Sequence, residues 1–211
     1  MHTFFIVALL VTSVITVTFI IERGLALRRF KVIPPEVEWA VTNYQGPADL
    51  PKLVNACEQN PSALSRLLLF TTEHLDWARS ELVTLLETRA RHEITQLERG
   101  LVVLEIVVGI APLQGLVGTI YGLITLFAST DLAHTGDTTR FAQGISLALN
   151  ATLLGLLIAI PALIAWSLYN KRVERLAIEM ENHCDEFLRK HYRSEVVSSL
   201  PTRRAAAGRR A

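Results

Sequence analysis

Long uncharged stretches dominate the pattern of hydrophobic and polar positions along this chain. Three segments lack Asp, Glu, Lys and Arg, and they cover Met1–Ile21, Ile106–Thr130 and Phe141–Asn170. A helix needs about 20 predominantly apolar residues to cross the hydrocarbon core of a bilayer, and each segment is long enough. We therefore predict an all-α integral membrane protein with three transmembrane helices and long cytoplasmic helical extensions.

The first segment is expected to be a membrane anchor that stays attached to the chain. A secretory signal carries positive charge before its apolar region, whereas here the basic residues follow it. They are Arg23, Arg28, Arg29 and Lys31. Cleavage as a signal peptide is the alternative.

Basic residues near the ends of the segments set the expected orientation, because short cytoplasmic loops are enriched in Lys and Arg. The loop 131–140 has a single basic residue, Arg140, whereas the third segment is followed by Lys171, Arg172 and Arg175. The pattern predicts an N-terminus outside, a cytoplasmic helical insertion over 22–105 and a cytoplasmic C-terminal part over 171–211.

Within the insertion, a short helix is expected over Ala48–Gln59. Asn60 is a candidate N-cap for the next helix, with Pro61 at its first position. Since neither Pro nor Gly follows between Ser62 and Gly100, we predict one long amphipathic helix that runs into the second span.

The helical pattern continues beyond the third span. Apolar residues recur there every three or four positions, at Val173, Leu176, Met180, Cys184 and Phe187. This spacing predicts an extension that packs on neighbouring helices. The end of the chain, Pro201–Ala211, is a predicted disordered tail whose arginines are either solvated or in contact with anionic membrane lipids.

Small residues form a regular stripe in the third span. Gly144, Ala148, Ala151, Gly155, Ala159 and Ala162 are separated by 4, 3, 4, 4 and 3 positions, and Gly115, Gly118 and Gly122 form a shorter series in the second span. Small residues allow membrane helices to approach closely. The pattern predicts close helix packing, either within the chain or between subunits.

Polar side chains share these two spans, and we consider five of them candidate pore-lining residues: Gln114, Thr119, Ser146, Asn150 and Thr152. A Ser or Thr hydroxyl can instead bond to a carbonyl of the preceding turn. An amide cannot easily do so, and it must face other helices or a wet cavity. Together they suggest a hydrated path.

Composition excludes several other classes of function. Charged residues make up 19% and the net charge is +1, which argues against a nucleic-acid partner. Cys57 and Cys184 are far apart and outside any CxxC motif, so they are expected to be ordinary packing residues. The histidines are scattered, and we predict no metal site, no cofactor and no enzyme activity.

Two motifs resemble the signatures of the MotA/TolQ/ExbB proton-channel family. Residues 109–122 read GIAPLQGLVGTIYG, and residues 144–156 read GISLALNATLLGL, followed by AIPA at 159–162. The three-span plan resembles ExbB or TolQ more than the four-span MotA.

This resemblance implies a homopentamer in the bacterial inner membrane with a periplasmic N-terminus. It also implies an ExbD/TolR-like single-span partner that supplies a titratable Asp, and a TonB- or TolA-like effector that is energised by proton flow. Thr119 and Thr152 match the pore-facing threonine positions of the family.

Two positions depart from the family pattern. Leu147 stands where ExbB- and TolQ-type sequences usually carry Glu, and Gln114 stands where the first signature usually has Leu. The leading hypothesis is a proton-channel subunit. The alternatives are a non-conducting scaffold of the same fold, a sodium-driven motor subunit or an unrelated small transporter. The last would be expected to show inverted repeats or broken helices, which the sequence lacks.

Overall fold

The structure, a computed structural model, describes residues 2–129 and 138–199 and is helical throughout most of them. The helices are α1 (His2–Ala26), α2 (Arg29–Val32), α3 (Pro35–Thr42), α4 (Leu50–Gln59), α5 (Ala63–Glu73), α6 (Arg79–Glu98), α7 (Leu101–Ser129) and α8 (Thr138–Ser199), and a 3-10 turn covers Pro47–Asp49. No strand occurs in this part of the chain. The all-α prediction is confirmed.

Among the described helices, three are long and apolar enough to cross a membrane. They are Phe4–Ala26 in α1, Leu101–Phe127 in α7 and a stretch of α8 that begins at Gly144. The three predicted transmembrane helices are therefore confirmed. The first helix is longer than the uncharged segment, because it continues through Glu22 and Arg23. Residues 131–137 of the expected loop and the predicted tail lie outside the described residues.

The chain folds into two compact units. The membrane unit comprises Met1–Leu27 and Leu97–Arg172, and the polar unit comprises Arg28–Gln96 and Val173–Ala211. In the membrane unit, a buried cluster joins α7 and α8 through Val107, Ala111, Ala159 and Ala162. Its members are mostly alanines, so the two helices pack at short range.

In the polar unit, α8 supplies one side of an aliphatic and aromatic core. Val173, Leu176, Met180, Cys184 and Phe187 are all buried, so the predicted packing face of this extension is confirmed. The Tyr44 hydroxyl lies 2.7 Å from His191 Nδ1. This contact pairs two polar groups inside the core.

The prediction of one long helix from Ser62 into the second span is wrong. Three helices occupy this stretch, because α5 ends at Glu73, α6 begins at Arg79, and α7 begins after a turn at Arg99 and Gly100. His74 Nδ1 lies 2.8 Å from the carbonyl oxygen of Phe70 at the end of α5. This side chain helps to close the helix where the sequence contains neither Pro nor Gly.

The predicted N-cap at Asn60 is also wrong. Asn60 ends α4, where its side-chain amide donates to the Ala56 carbonyl at 3.0 Å. Ser62 caps α5 instead, since its Oγ accepts a hydrogen bond from the Ser65 amide at 3.1 Å. Pro61 consequently lies between the two helices.

Candidate functional site

The candidate site lies where α7 and α8 approach each other inside the membrane unit. A Cβ added to Gly155 would lie 2.6 Å from the Ala111 carbonyl oxygen, and one added to Gly115 would lie 2.8 Å from the Ala151 carbonyl oxygen. Neither distance leaves room for a side chain. The two backbones therefore touch at Gly115 and Gly155, and glycine is required at both positions.

The remaining small residues extend this contact towards the end of α7. A Cβ on Gly118 would lie 3.0 Å from Ala151 Cβ, and one on Gly122 would lie 3.1 Å from Ala148 Cβ. A Cβ on Gly144 would lie 2.5 Å from the flexible Leu126 side chain. The stripe of small residues is thus occupied by packing between α7 and α8 of the same chain.

Thr119 and Thr152 meet next to this contact. Their hydroxyl groups are hydrogen-bonded to each other. Thr119 Oγ1 also lies 3.1 Å from the carbonyl oxygens of Gly115 and Ala148, and Thr152 Oγ1 lies 3.3 Å from that of Gly115. Two hydroxyls with one proton each therefore share a cluster of four oxygen atoms, which can solvate a proton or a small cation.

The other polar candidates of α8 lie on a different face. Ser146 and Asn150 are both exposed and lie about 40° apart around the helix, whereas Asn150 is about 160° from Thr152. Single-chain geometry does not bring them to the threonine pair. An exposed amide in a span is costly unless it meets a partner helix or a wet cavity.

Gln114 faces the first span. Its Oε1 lies 3.1 Å from Thr12 Oγ1 of α1, and it is about 140° from Thr119 around α7. Thr12 is not among the candidate residues predicted from the sequence. The signal available was the series Thr12 and Thr16, which places two hydroxyls on one face of an otherwise aliphatic helix.

Two further contacts that were not predicted hold α1 in the membrane unit. The Tyr169 hydroxyl donates to the Ile20 carbonyl at 2.8 Å. The Arg23 side chain covers Gly100 so closely that an added Cβ would meet Arg23 Nε at 1.9 Å. Since Gly100 precedes α7, the turn that starts this helix is packed directly against the end of α1.

The site contains almost no titratable chemistry. Tyr121 is the only ionisable residue in the two motifs, residues 109–122 and 144–162. The side chain of Leu147 lies outside the described part of the structure. The two motifs therefore offer hydroxyl and carbonyl oxygens but no carboxylate and no basic group.

In the polar unit, the two cysteines are free and buried, as expected for packing residues. Burial raises the pKa of the Cys57 thiol to about 11, so it is protonated at neutral pH. The described residues contain no group of three His, Cys, Asp or Glu side chains arranged to hold a metal.

Comparison with known proteins places these motifs in a family. The model of the MotA/TolQ/ExbB proton channel family matches residues 63–182. The match begins in α5 and ends in α8, so it includes the whole of α7 and the threonine pair.

Several curated relatives are similar over parts of the chain. The Tol-Pal system protein TolQ of Haemophilus influenzae is 36% identical over 95 residues, which are 45% of this chain and 42% of the relative. The biopolymer transport protein ExbB of Helicobacter pylori is 39% identical over 71 residues, 34% of this chain and 49% of the relative. A Synechocystis protein named ExbB-like 1 is 30% identical over 167 residues, 75% of this chain and 63% of the relative. Each match spans less than two thirds of the relative.

Proposed function

The chain belongs to the MotA/TolQ/ExbB proton channel family, and on this premise we propose that it is a proton-channel, stator-like subunit of an ExbB/TolQ-type motor. The observation that carries the proposal is the Thr119–Thr152 oxygen cluster at the contact between α7 and α8. Its hydroxyls can both donate and accept hydrogen bonds, so the pair can pass a proton or replace part of the hydration shell of an ion.

In this proposal, this chain supplies the polar lining and a second chain supplies the charged group. Because the motifs around the threonine pair lack a carboxylate or a basic group, the charge-carrying step needs a residue from a partner. An ExbD/TolR-like single-span protein with a titratable Asp supplies such a group. This chain then forms the packed housing, with Thr119 and Thr152 as the polar lining.

The proposal includes the assembly and its place in the cell. Copies of the chain form a homopentamer in the bacterial inner membrane, with the N-terminus periplasmic and the C-terminus cytoplasmic. Ser146 and Asn150, exposed on another face of α8, face neighbouring helices or the wet interior of this assembly. The proton-motive force then energises a TonB- or TolA-like effector, for example in outer-membrane transport.

Substitution of the threonines tests the lining. The complex, purified with its partner and reconstituted in vesicles, is assayed for proton uptake with an internal pH-sensitive dye. Thr119→Val and Thr152→Val keep the shape of the side chain but remove the hydroxyl, and we expect each to lower uptake at least tenfold while the complex still assembles. Thr119→Ser and Thr152→Ser should retain most of the activity.

Thr125→Val is the matched control on α7. The Thr125 hydroxyl is exposed and bonds within its own helix, to the Tyr121 and Gly122 carbonyls, so its loss should leave uptake unchanged. Wild-type uptake in both Thr119→Val and Thr152→Val would refute the proposed lining.

A scaffold that conducts no ions is the second candidate, and Leu147 is the observation that favours it. The two functions differ in whether the complex passes protons at all. Uptake that disappears when the partner's membrane aspartate is changed to Asn would exclude the scaffold. Uptake of sodium ions down a sodium gradient at constant pH would identify a sodium-driven motor subunit.

A further inference from the structure

We propose that Thr12 and Gln114 form a positioning contact inside the bilayer, which fixes the rotation of α7 and thereby the placement of Thr119. Gln114 would then act through α7 and not as part of the pore lining. The inference rests on the proposed function only for its effect on ion flow. The contact itself is a separate structural statement.

The contact is satisfied best in one arrangement of the glutamine amide. Thr12 Oγ1 lies 2.9 Å from the Ala8 carbonyl oxygen and 3.1 Å from the Gln114 amide oxygen. A hydroxyl has one proton and cannot donate to both acceptors. Rotating the amide by half a turn places its NH₂ group towards Thr12, whose oxygen then accepts from Gln114 while its proton goes to Ala8.

Inside the bilayer, loss of this hydrogen bond is expected to cost free energy. An amide without a partner in hydrocarbon is costly, and no water is available in the bilayer core to replace one. Interhelical hydrogen bonds of this type help to associate membrane helices. Removing either side chain's polar group therefore removes the main directional link between α1 and α7 at this depth.

Contacts at either end show that α1 follows α7 along most of its length. The rings of Phe5 and Tyr121 lie 5.6 Å apart between centroids, and the Arg23 side chain covers Gly100. Residue numbers rise along α1 as they fall along α7, as two antiparallel helices require. Thr12 and Gln114 lie between these two contacts along both helices.

The position of Gln114 explains how a contact with α1 can affect the threonine pair. Gln114 is about 40° from Gly118 and about 140° from Thr119 around α7. A rotation of α7 would move Gly118 out of its close fit against Ala151, where an added Cβ would already lie at 3.0 Å. It would also move Thr119 away from Thr152. The Thr12–Gln114 contact opposes this rotation from the face of α7 that contacts α1.

The experiment compares Thr12→Val, Gln114→Leu and the double variant in the reconstituted complex. Both single variants should lower proton uptake at least threefold. Uptake in the double variant should be no lower than in the less active of the two single variants, because both changes remove the same contact. Thr12→Ser keeps the hydroxyl and should restore uptake to the wild-type value. A purely apolar packing role for Thr12 would not produce this rescue.

Thr18→Val is the matched control on α1, because the exposed Thr18 hydroxyl bonds only to Val14 of its own helix among the described residues. A second readout introduces Phe5→Cys and Tyr121→Cys, and the rate of disulfide formation between these two positions reports the rotation of α7 against α1. We expect a change of at least threefold in this rate when Thr12→Val or Gln114→Leu is added, and no change with Thr18→Val.

Two results would overturn the inference. One is loss of uptake in Gln114→Leu with normal uptake in Thr12→Val, which would assign Gln114 to the pore lining. The other is an unchanged cross-linking rate in both variants. If the wild-type complex passes no protons, the proposed function fails, and the cross-linking rate alone decides on the contact.

Discussion

At the scale of single residues, two glycines of α7 and α8 have opposite surroundings. Gly155 lies so close to the Ala111 carbonyl oxygen that a Cβ atom would not fit, whereas a Cβ on Gly109 would meet nothing within 4 Å. Both are inside helices, where glycine is disfavoured relative to alanine by about 1 kcal/mol. Only the close approach of the helices explains why Gly155 is not a larger residue.

Gly155→Ala should therefore separate α7 from α8, and Gly109→Ala should not. We expect Gly155→Ala to lower stability by about 2 kcal/mol through overpacking, and Gly109→Ala to be neutral or slightly stabilising. The measurement is the thermal unfolding midpoint of the detergent-solubilised complex. Equal midpoints for the two variants would show that the backbone contact does not support the fold.

At the scale of helices, an ion pair between the exposed Arg66 and the buried Glu93 joins α5 to α6 in the polar unit. The Arg66 Nε and Nη2 groups both donate to one carboxylate oxygen of Glu93, at 2.9 and 2.5 Å. The Glu93 side chain is 1% exposed while that of Arg66 is 45% exposed. The hydrogen bond to Glu93 raises the pKa of Arg66, so the guanidinium keeps its charge over the usual pH range.

Arg66→Met should be far more harmful than the loss of both partners. The single change leaves a buried carboxylate without its counter-charge, which typically costs about 3 kcal/mol, whereas two apolar residues in place of the pair often restore stability. We expect the double variant Arg66→Met/Glu93→Leu to recover most of the unfolding midpoint. Arg91→Met, at an exposed position of α6, is the control. A double variant as unstable as Arg66→Met would contradict this explanation.

The sequence was informative about helices wherever one physical requirement dominates the choice of residue. The hydrocarbon core requires long uncharged stretches, and close packing requires small residues three and four positions apart. Both features could therefore be predicted from the sequence. The break between α5 and α6 has no such signal, because His74 closes α5 through a local contact with the Phe70 carbonyl, without Pro or Gly. The Thr12–Gln114 contact was missed for a different reason, since a pairing between distant helices has no signature in either one.

At the scale of the whole molecule, the small residues of α7 and α8 are already used within the chain, so any contact between copies must use other faces. One exposed face of α7 contains Ile110, Leu113 and Val117, and Ile110 is about 180° from Thr119 around the helix. The exposed face of α8 includes Leu149 and Leu153. These apolar faces suit either lipid or a neighbouring subunit.

The mass of the purified complex distinguishes these two surroundings. If neighbouring copies cover the exposed faces in a ring, native mass spectrometry in detergent should give five times the 23.5 kDa chain, plus any bound partner. Leu153→Arg should reduce this mass to that of smaller species, since a charge on a packed apolar face is not tolerated, whereas Gly109→Ala should leave it unchanged. A wild-type mass of one chain would mean that no copy covers either face. The threonine pair would then belong to a single chain and could not line a pore shared by several copies.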